Sequence, residues 1–556
     1  MSHFSSWSML LLASLAAPAA AAPDVAGAEA PPLLFKDDDA LAAARAALLT
    51  RQDARGLATS PLSAKELRLR LGEPAPAPTD ASARMHLTWH PYFAAWSALP
   101  ERTADNTLWF DAIPPMGQIG VRMSDGDVFA ADLQVDLSPV RHKFTGTSTY
   151  SPWTLESWVN LDFPRRSWAA ATTDHFTFAL GRFKTGIGHG VFGNTFLNGR
   201  APWYDQAQAT FFTDWFRAFW LVGTSSSFLF GEEAALQSFG AEGPPTAGFD
   251  PLNNYDGSRF DAPAKTFMVR RFELAPFPWL VFGIGELGVV GGKWPDLSQL
   301  LPMVAWHNAY APGSTNVMME VDAALSPWPG VLVFGELSVD DIATPYEDDN
   351  AKPTALAWQL GAQWTTPLGA RHSLELAAEF THVDPWTYAR WQPYLVMQQR
   401  QILPCGCLAV DVPLGYPWGG DLDTLGAQLT LTDHQGMRVV ASVEQMWRGP
   451  VRLGALTDTV LVDETGAPRT DRYGTSIRAP LYYDLDLYAG EGALERFFAA
   501  HPTEQRTTVA TRVELPVAPH LRVLGQVHLA WLDNADNVAG AQALRALLHA
   551  GALVDF

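Results

Sequence analysis

The chain has 556 residues, of which only 17% are charged and 12% are aromatic, and its formal net charge is −21. A soluble protein carries about a quarter charged residues, yet the mean hydropathy here is −0.02, the average expected when apolar and polar faces alternate. The negative charge argues against nucleic acid as a partner, because nucleic-acid binding needs a basic surface.

Residues 1–22 resemble a secretory signal peptide. A short apolar run from Met9 to Ala16 is followed by small residues with several Ala-x-Ala sites, the arrangement of a cleavable export signal. The run is too short to span a bilayer as a helix, and no uninterrupted apolar run of about 18 residues follows it. The sequence therefore predicts export, and any passage through a membrane must use strands.

Residues 23–83 are predicted to form a small periplasmic helical segment followed by a linker. Leu and Ala recur at helical spacing between residues 36 and 74, and Asp37 to Asp39 suit a helix N-terminus. This pattern indicates two or three helices. The stretch EPAPAPTDA that follows is typical of a Pro/Ala linker.

From about residue 84 to residue 556 the apolar period becomes two. In DVFAADLQVDL, for example, Phe129, Ala131 and Leu133 alternate with Asp132 and its neighbours, as in a strand with one apolar face. Many of these strands approach ten residues, whereas strands of soluble proteins usually run about five or six. Long amphipathic strands on an exported chain predict an all-β fold, a transmembrane antiparallel β-barrel of about 16–18 strands in the bacterial outer membrane.

The C-terminal stretch LLHAGALVDF has the pattern of a closing strand. Leu548 and Val554 fall on one face, and Phe556 is the last residue. A terminal aromatic residue resembles the signal by which the barrel assembly machinery of Gram-negative bacteria recognises its clients. That machinery and outer-membrane lipid are therefore expected partners. A secreted β-sandwich or propeller would also alternate, but no blade repeat of about 40–50 residues is visible.

The segment 180–208, LGRFKTGIGHGVFGNTFLNGRAPWYDQAQ, breaks the strand pattern. Irregular backbone in a barrel must avoid lipid, so the segment should fold inward or outward as a constriction or a binding loop. Its polar and aromatic side chains suit a sugar-binding surface, although they could equally plug the lumen. The candidate polysaccharide-binding residues here are Arg182, Asn194, Asn198, Arg200, Trp203, Tyr204 and Asp205.

Other short motifs give no cofactor or metal site. GIGELG at 283–288 matches a dinucleotide-binding pattern but lies in an alternating strand with no helix after it. LNNYDGSRFD at 252–261 and the acidic YEDDN at 346–350 are better interpreted as turns or solvated loops than as cation sites. Cys405 and Cys407 could form a strained disulfide or two metal ligands, but they lack visible partner ligands and suit an incidental loop feature.

Four stretches resemble the capsule assembly protein Wzi family, which are lectin-like outer-membrane barrels. They are LGRFKTGIGHGVFGNTFLNGRAP (180–202), FGELSVDD (334–341), EFTHVDPWTYAR (379–390) and PLGYPWGGDLDTLGAQLTL (413–431). The resemblance implies a barrel of about eighteen strands, a periplasmic helical bundle from residues 36–74, and outward loops that bind an exported polysaccharide. The third stretch adds Trp386, Tyr388 and Arg390 to the candidate binding residues.

The sequence is compatible with three functions. The first is a non-enzymatic barrel that binds exported capsular polysaccharide or exopolysaccharide and helps to assemble or attach it at the cell surface. The second is a porin or transport channel narrowed by segment 180–208. The third is an outer-membrane hydrolase using residues such as His189 and Asp205, although neither G-x-S-x-G nor H-E-x-x-H occurs in the chain.

Overall fold

We describe the protein from a computed structural model of the chain. The structure describes the chain in separate ranges, which are residues 33–35, 39–72, 81–97, 115–125, 128–139, 148–150, 159–162, 166–201, 203–229, 231–237, 262–300, 315–342, 354–369, 371–390, 392–402, 409–433, 435–454, 456–460, 465–468, 470, 476, 478–480 and 493–556. The predicted signal peptide, the loops 252–261 and 346–350, and both cysteines lie outside these ranges.

Eighteen antiparallel strands close into one barrel, as the strand periodicity predicts. In chain order they are β1 (Ser82–Trp89 with Tyr92–Trp96), β2 (Gly117–Ser124), β3 (Phe129–Pro139), β4 (Ser167–Thr172), β5 (Phe176–Phe183), β6 (Tyr204–Phe212), β7 (Phe216–Thr224), β8 (Lys265–Phe277), β9 (Leu280–Gly291), β10 (Thr315–Leu325), β11 (Val331–Asp341), β12 (Ala355–Leu368), β13 (His372–Val383), β14 (Leu422–Asp433), β15 (Arg438–Arg448), β16 (Glu504–Ala518), β17 (Leu521–Asp533) and β18 (Gln542–Asp555). Each strand pairs with the next, and β18 pairs with both parts of β1, with Asp555 opposite Thr88 and Leu548 opposite Ala95.

Smaller elements connect the eighteen strands or pack on them. The helices are α1 (Asp39–Thr50), α2 (Ala64–Leu71), α3 (Gly231–Gln237) and α4 (Ala493–Ala500), with 3-10 turns at Leu297–Leu300, Pro393–Leu395 and Ala535–Asn537. Short strands pair as Leu33–Leu34 with Leu62–Ser63, Thr59–Ser60 with Gly186–Ile187, Gln398–Ile402 with Ala409–Pro413, and Leu456–Val460 with Arg478–Pro480, while Ser148–Tyr150 and Val159–Asp162 extend the pairing of β1 and β3. Within the described ranges, none of the helices has the length and apolar character needed to cross a bilayer.

Alternate residues of each strand face lipid or the lumen. On β12, Leu360 is 57% exposed whereas its neighbour Gln359 is fully buried. Exposed tryptophans mark both rims, with Trp279 and Trp328 beside short turns and Trp447 and Trp531 near the opposite ends of their strands. An apolar outer band between aromatic girdles is typical of outer-membrane barrels.

The two ends of the barrel differ in the length of their connections. At one end, turns such as 278–279 between β8 and β9 and 519–520 between β16 and β17 contain only two residues. At the other end, connections such as 384–421 between β13 and β14 are long. Outer-membrane barrels have short periplasmic turns and longer extracellular loops, so the short-turn mouth faces the periplasm.

The N-terminal segment of the described chain lies inside the short-turn mouth. Apolar residues of α1 and α2 form one cluster with Val281, Leu332 and Phe334 of the barrel wall. Gly330, in the turn between β10 and β11, donates its backbone N–H to the carbonyl of Leu49 of α1 at 2.7 Å. Two helices are described within the stretch 36–74, and they occupy one side of the lumen, against β7 to β13.

Local sequence explains why α2 begins and ends where it does. The side chain of Ser63 caps the helix by accepting a hydrogen bond from the backbone N–H of Glu66, and Gly72 ends it in the left-handed conformation, with φ of 65°. The carboxylate of Glu66 is buried and pairs with Arg70 at 2.6 Å and with Arg217 of β7 at 3.0 Å. Breaking such a buried pair by removing one partner costs about 3–5 kcal/mol, so this ion pair fixes α2 to the wall.

Barrel closure can be tested at Leu547, which lies opposite His528 of β17 and Trp96 of β1. Leu547→Pro removes a ladder N–H from β18, and we expect it to abolish the difference in gel migration between unheated and heated samples that intact barrels show. Leu547→Ala, which keeps the backbone donor, should retain that difference. Unchanged migration of the proline variant would contradict the closing role of β18.

Candidate functional site

The connection between β5 and β6 folds into the lumen. We call residues 184–203 the plug loop; residue 202 lies outside the described ranges. Its strand Gly186–Ile187 pairs with Thr59–Ser60 of the N-terminal segment, and Gly188 N–H donates to the carbonyl of Ala58 at 2.8 Å. The two inserted parts of the chain therefore meet inside the barrel, so the inward alternative for segment 180–208 is the one that the structure adopts.

Two wall carboxylates hold the plug loop by its backbone. Glu379 of β13 accepts hydrogen bonds from the N–H groups of Val191 at 2.7 Å and Phe192 at 2.8 Å. Glu336 of β11 accepts from the N–H groups of Thr195 at 2.8 Å and Phe196 at 3.0 Å. Hydrogen bonds to a charged acceptor contribute about 1.5–3 kcal/mol each, so these two side chains set the position of the loop.

Amide side chains of the neighbouring strand complete this anchorage. Gln359 of β12 donates to the carbonyl of Gly193 at 3.0 Å, and Gln363 donates to the carbonyl of His189 at 2.9 Å. The backbone at Gly188 has φ of 122°, and a Cβ there would lie 2.6 Å from Oε2 of Glu336. Glycine is therefore required where the loop passes the carboxylate.

The long connection 384–421 packs on the plug loop from the extracellular side. Tyr388 is fully buried; its hydroxyl donates to the carbonyl of Thr195 at 2.6 Å, and its N–H donates to Asp340 of β11 at 2.6 Å. Burial raises the pKa of Tyr388, which keeps the hydroxyl protonated as a donor. Tyr388 thus links the two loops to the wall.

Arg182 and Asp205 form an ion pair where β5 and β6 meet the plug loop. Arg182 donates from Nε to Oδ1 at 2.6 Å and from Nη2 to Oδ2 at 2.7 Å, and its guanidinium lies 5.0 Å from the ring centroid of Trp203. The Asp205 side chain is 44% exposed. Arg182 and Asp205 alternate with the inward-facing Phe183 and Tyr204, so this ion pair lies on the outer face of the wall at the extracellular rim.

The structure divides the candidate binding residues into two groups. Six are buried and act in packing, namely Asn194, Asn198, Trp203, Tyr204, Trp386 and Tyr388. Four are partly exposed, namely Arg182 and Asp205 on the outer face at the extracellular rim, and Arg200 and Arg390 in the long connections. Only the second group could contact a polymer without rearrangement of the loops.

Sequence reasoning did not single out the anchoring residues Glu336, Glu379, Gln359 and Gln363. The sequence feature that could have identified them is their position, since each occupies a lumen-facing position of a strand whose other face is apolar. Glu336 and Glu379 even belong to stretches that carry the family resemblance. An inward-facing carboxylate, however, has the same sequence pattern whether it meets water or a folded loop.

The plug loop and its neighbours fill the lumen in its extracellular half. Seventeen of the eighteen strands present a buried, inward-facing residue at this level, and in strand order these are Ala94, Asp136, Trp168, Phe183, Tyr204, Leu221, Phe267, Leu287, Met318, Ser338, Ala357, Thr381, Thr424, Met446, Arg506, Leu532 and Leu547. On β2 the inward-facing residue is Gln118, which is partly exposed. An open pore would leave such positions hydrated.

The catalytic alternative named His189 and Asp205, which lie in different environments. His189 is 2% exposed, and its ring packs on Phe334 at 5.4 Å between centroids. Asp205 instead pairs with Arg182. In the described part of the chain, no group of three or more His, Cys, Asp or Glu side chains is placed to hold a metal ion.

No protein-family model and no curated protein sequence matches the chain. A solved structure of Wzi, an Escherichia coli outer-membrane protein involved in group 1 capsule assembly and a carbohydrate-binding β-barrel, covers 95% of this chain and 99% of its own, with 13% identity and a TM-score of 0.52. OccD3 of Pseudomonas aeruginosa covers 87% of this chain and 95% of its own at 11% identity, with a TM-score of 0.36. OmpT of Vibrio cholerae covers 87% of this chain and 100% of its own at 9% identity, with a TM-score of 0.30.

The likeness to Wzi bears on the fold. It confirms the family resemblance found in the sequence at the level of structure, because the fold is an eighteen-stranded barrel. The expected location in the bacterial outer membrane is likewise confirmed.

Removing one anchoring acceptor should loosen the plug loop. Glu379→Gln leaves a single carbonyl oxygen for two N–H donors, Val191 and Phe192, and leaving one buried donor unpaired costs about 1–3 kcal/mol. We expect amide hydrogen exchange of residues 189–196 to rise at least about fivefold while heat-dependent gel migration stays normal. The control is Glu375→Gln, which lies on the same face of β13; equal exchange in both variants would contradict the anchoring role.

Acid should also release the plug loop through His189. Burial lowers the pKa of His189 from 6.5 to about 4, so between these values the unfolded loop binds a proton that the docked loop does not. Docking should therefore weaken as the pH falls from 6.5 towards 4. Pulsed hydrogen exchange of the loop at several pH values should show this loss in the wild type and a smaller loss in His189→Gln; parallel profiles would contradict it.

Proposed function

We propose that this outer-membrane barrel binds an exported capsular polysaccharide or exopolysaccharide at its extracellular face and helps to attach or assemble it there, without catalysis. The barrel fold and the outer-membrane location are the established part. The observation that carries the proposal is the filled extracellular half of the lumen. A barrel whose lumen is filled at this level presents a surface for binding but no open channel.

The long connections support such a surface because they are docked on one another. Arg400 pairs with Glu233 of α3 at 2.7 Å and with Asp411 of the adjacent hairpin at 2.7 Å. Tyr394 N–H donates to Gln237 of α3 at 3.0 Å. Loops that are ordered before binding lose less conformational entropy when a ligand arrives, which favours a binding role.

The contact residues that we propose are the four that are partly exposed, Arg182, Arg200, Asp205 and Arg390. Guanidinium groups donate to carboxylates and hydroxyls, and the carboxylate of Asp205 accepts from hydroxyls. The buried candidates support them from behind; for example, Tyr204 donates to the carbonyl of Asn198 at 3.0 Å. The likeness to a carbohydrate-binding barrel supports the proposed class of ligand.

A paired substitution tests the proposal. Arg182→Gln with Asp205→Asn removes both charges of one ion pair and leaves a polar side chain at each position. Loss of one charge-assisted hydrogen bond to the ligand, about 1.5–3 kcal/mol, should weaken retention of the host's exported polymer by about tenfold in a pull-down with purified protein. The control is Arg371→Gln, an exposed arginine at the opposite, short-turn end.

Two results would overturn this function. One is failure of the wild-type protein to retain the polymer when both are intact. The other is a steady conductance of the purified protein in planar bilayers, which would favour the channel alternative. A proteolytically intact plug loop in the same sample would exclude damage as the source of that conductance.

A further inference from the structure

The connection that follows β9 turns back onto the wall of the barrel. Leu300 packs in one apolar cluster with Met268 of β8. The backbone carbonyl of Gln299 accepts a hydrogen bond from the guanidinium of Arg270, the sixth residue of β8, so the connection reaches down along the strand from its extracellular end. We call residues 292–300 the outer strap.

Alternation along β8 shows which side of the wall the outer strap covers. Val269 belongs to the apolar cluster of the plug loop, and Arg271 pairs with Glu320 at 2.7 Å inside the lumen. Since successive side chains of a strand point to opposite faces, Met268 and Arg270 point away from the lumen. The outer strap therefore lies on the outer face of the barrel.

A charge pair lies beneath the outer strap. Arg270 faces Glu286 across β8 and β9, with 3.9 Å between Nη1 and Oε1, and the two side chains are 3% and 6% exposed. Two residues before Glu286, on the same face of β9, Ile284 is 48% exposed. Charged side chains that face lipid destabilise a barrel, so the cover that the outer strap provides is what allows this pair to lie next to apolar, exposed wall.

The surface that the outer strap turns away from the wall is apolar. Trp294 is 69% exposed, and Leu297, at 83%, is the most exposed large apolar side chain in the part of the chain that the structure describes. The charged side chains of the same segment, Lys293 and Asp296, pair with each other at 3.1 Å. A tryptophan with an apolar body and a polar N–H suits the boundary between acyl chains and lipid headgroups.

The occupant of this surface follows from what the outer strap adjoins. Ile284 of β9 lies opposite Val321 of β10, and the two side chains are equally exposed. Outward-facing apolar residues of this kind form the band that contacts lipid in an outer-membrane barrel. The outer strap borders that band on its extracellular side, so the surface that carries Trp294 and Leu297 continues an interface with lipid.

We propose that the outer strap is a second lipid contact of this protein, with Trp294 and Leu297 inserted among the acyl chains of the outer leaflet. The insertion anchors one side of the barrel, over β8 to β10, through a loop as well as through strands. It also keeps the strap seated over Arg270 and Glu286.

Quenching of a single fluorescent label tests the proposal. The full-length chain with Cys405→Ser and Cys407→Ser carries Leu297→Cys, labelled with an environment-sensitive fluorophore, in phosphatidylcholine bilayers. We expect lipid brominated on its acyl chains to quench the label and aqueous iodide to leave it unquenched. Ile284→Cys, in the outer band, should behave in the same way, whereas a label at Arg512→Cys, which faces the lumen, should not respond to brominated lipid.

The opposite pattern at residue 297, quenching by iodide and none by brominated lipid, means that the outer strap faces water and overturns the proposal. Cross-linking of two copies through Leu297→Cys by a bismaleimide, without quenching by brominated lipid, overturns it in favour of a second copy of the chain as the occupant. Heat-dependent gel migration identifies a variant that fails to fold, in which case Trp294→Cys takes its place. Polymer retention does not depend on any of these results, so the two proposals fail separately.

Discussion

The structure depends on one constraint: backbone polar groups that cross a lipid bilayer must be paired within the protein. A single sheet satisfies this only when its first and last strands meet, and here β18 pairs with both parts of β1. Closure of eighteen strands creates a wide lumen. The segments that fill the lumen then determine whether solutes can pass through the barrel.

The lumen is filled by chain segments that are held through their backbones. Glu336 and Glu379 each accept two N–H groups of the plug loop, so the wall supplies the hydrogen bonds that irregular backbone lacks. On the periplasmic side, Glu66 joins α2 to Arg217 by a buried ion pair. Charged residues of the wall thus hold the inserted segments in place inside this barrel.

The family resemblance and the structure meet at the same residues. The stretches FGELSVDD and EFTHVDPWTYAR contain Glu336, Asp340, Glu379 and Tyr388, all of which contact the plug loop or its neighbour. These two stretches therefore contain residues that hold the plug loop in place. Of the candidate binding residues, Asp205 and Arg182 are partly exposed, with 44% and 23% of their side chains accessible, and do not hold the plug.

The amino-acid sequence by itself determined the barrel, its approximate strand number and its membrane, because the alternation of Phe129, Ala131 and Leu133 and its counterparts is a local property of each strand. Only the tertiary structure decided that residues 184–203 turn inward, that α1 and α2 sit in the periplasmic mouth, and that most candidate binding residues are buried. The contacts responsible join residues such as Phe192 and Glu379, 187 positions apart. Periodicity cannot report such pairings, since an inward polar residue has the same pattern beside water as beside a folded loop.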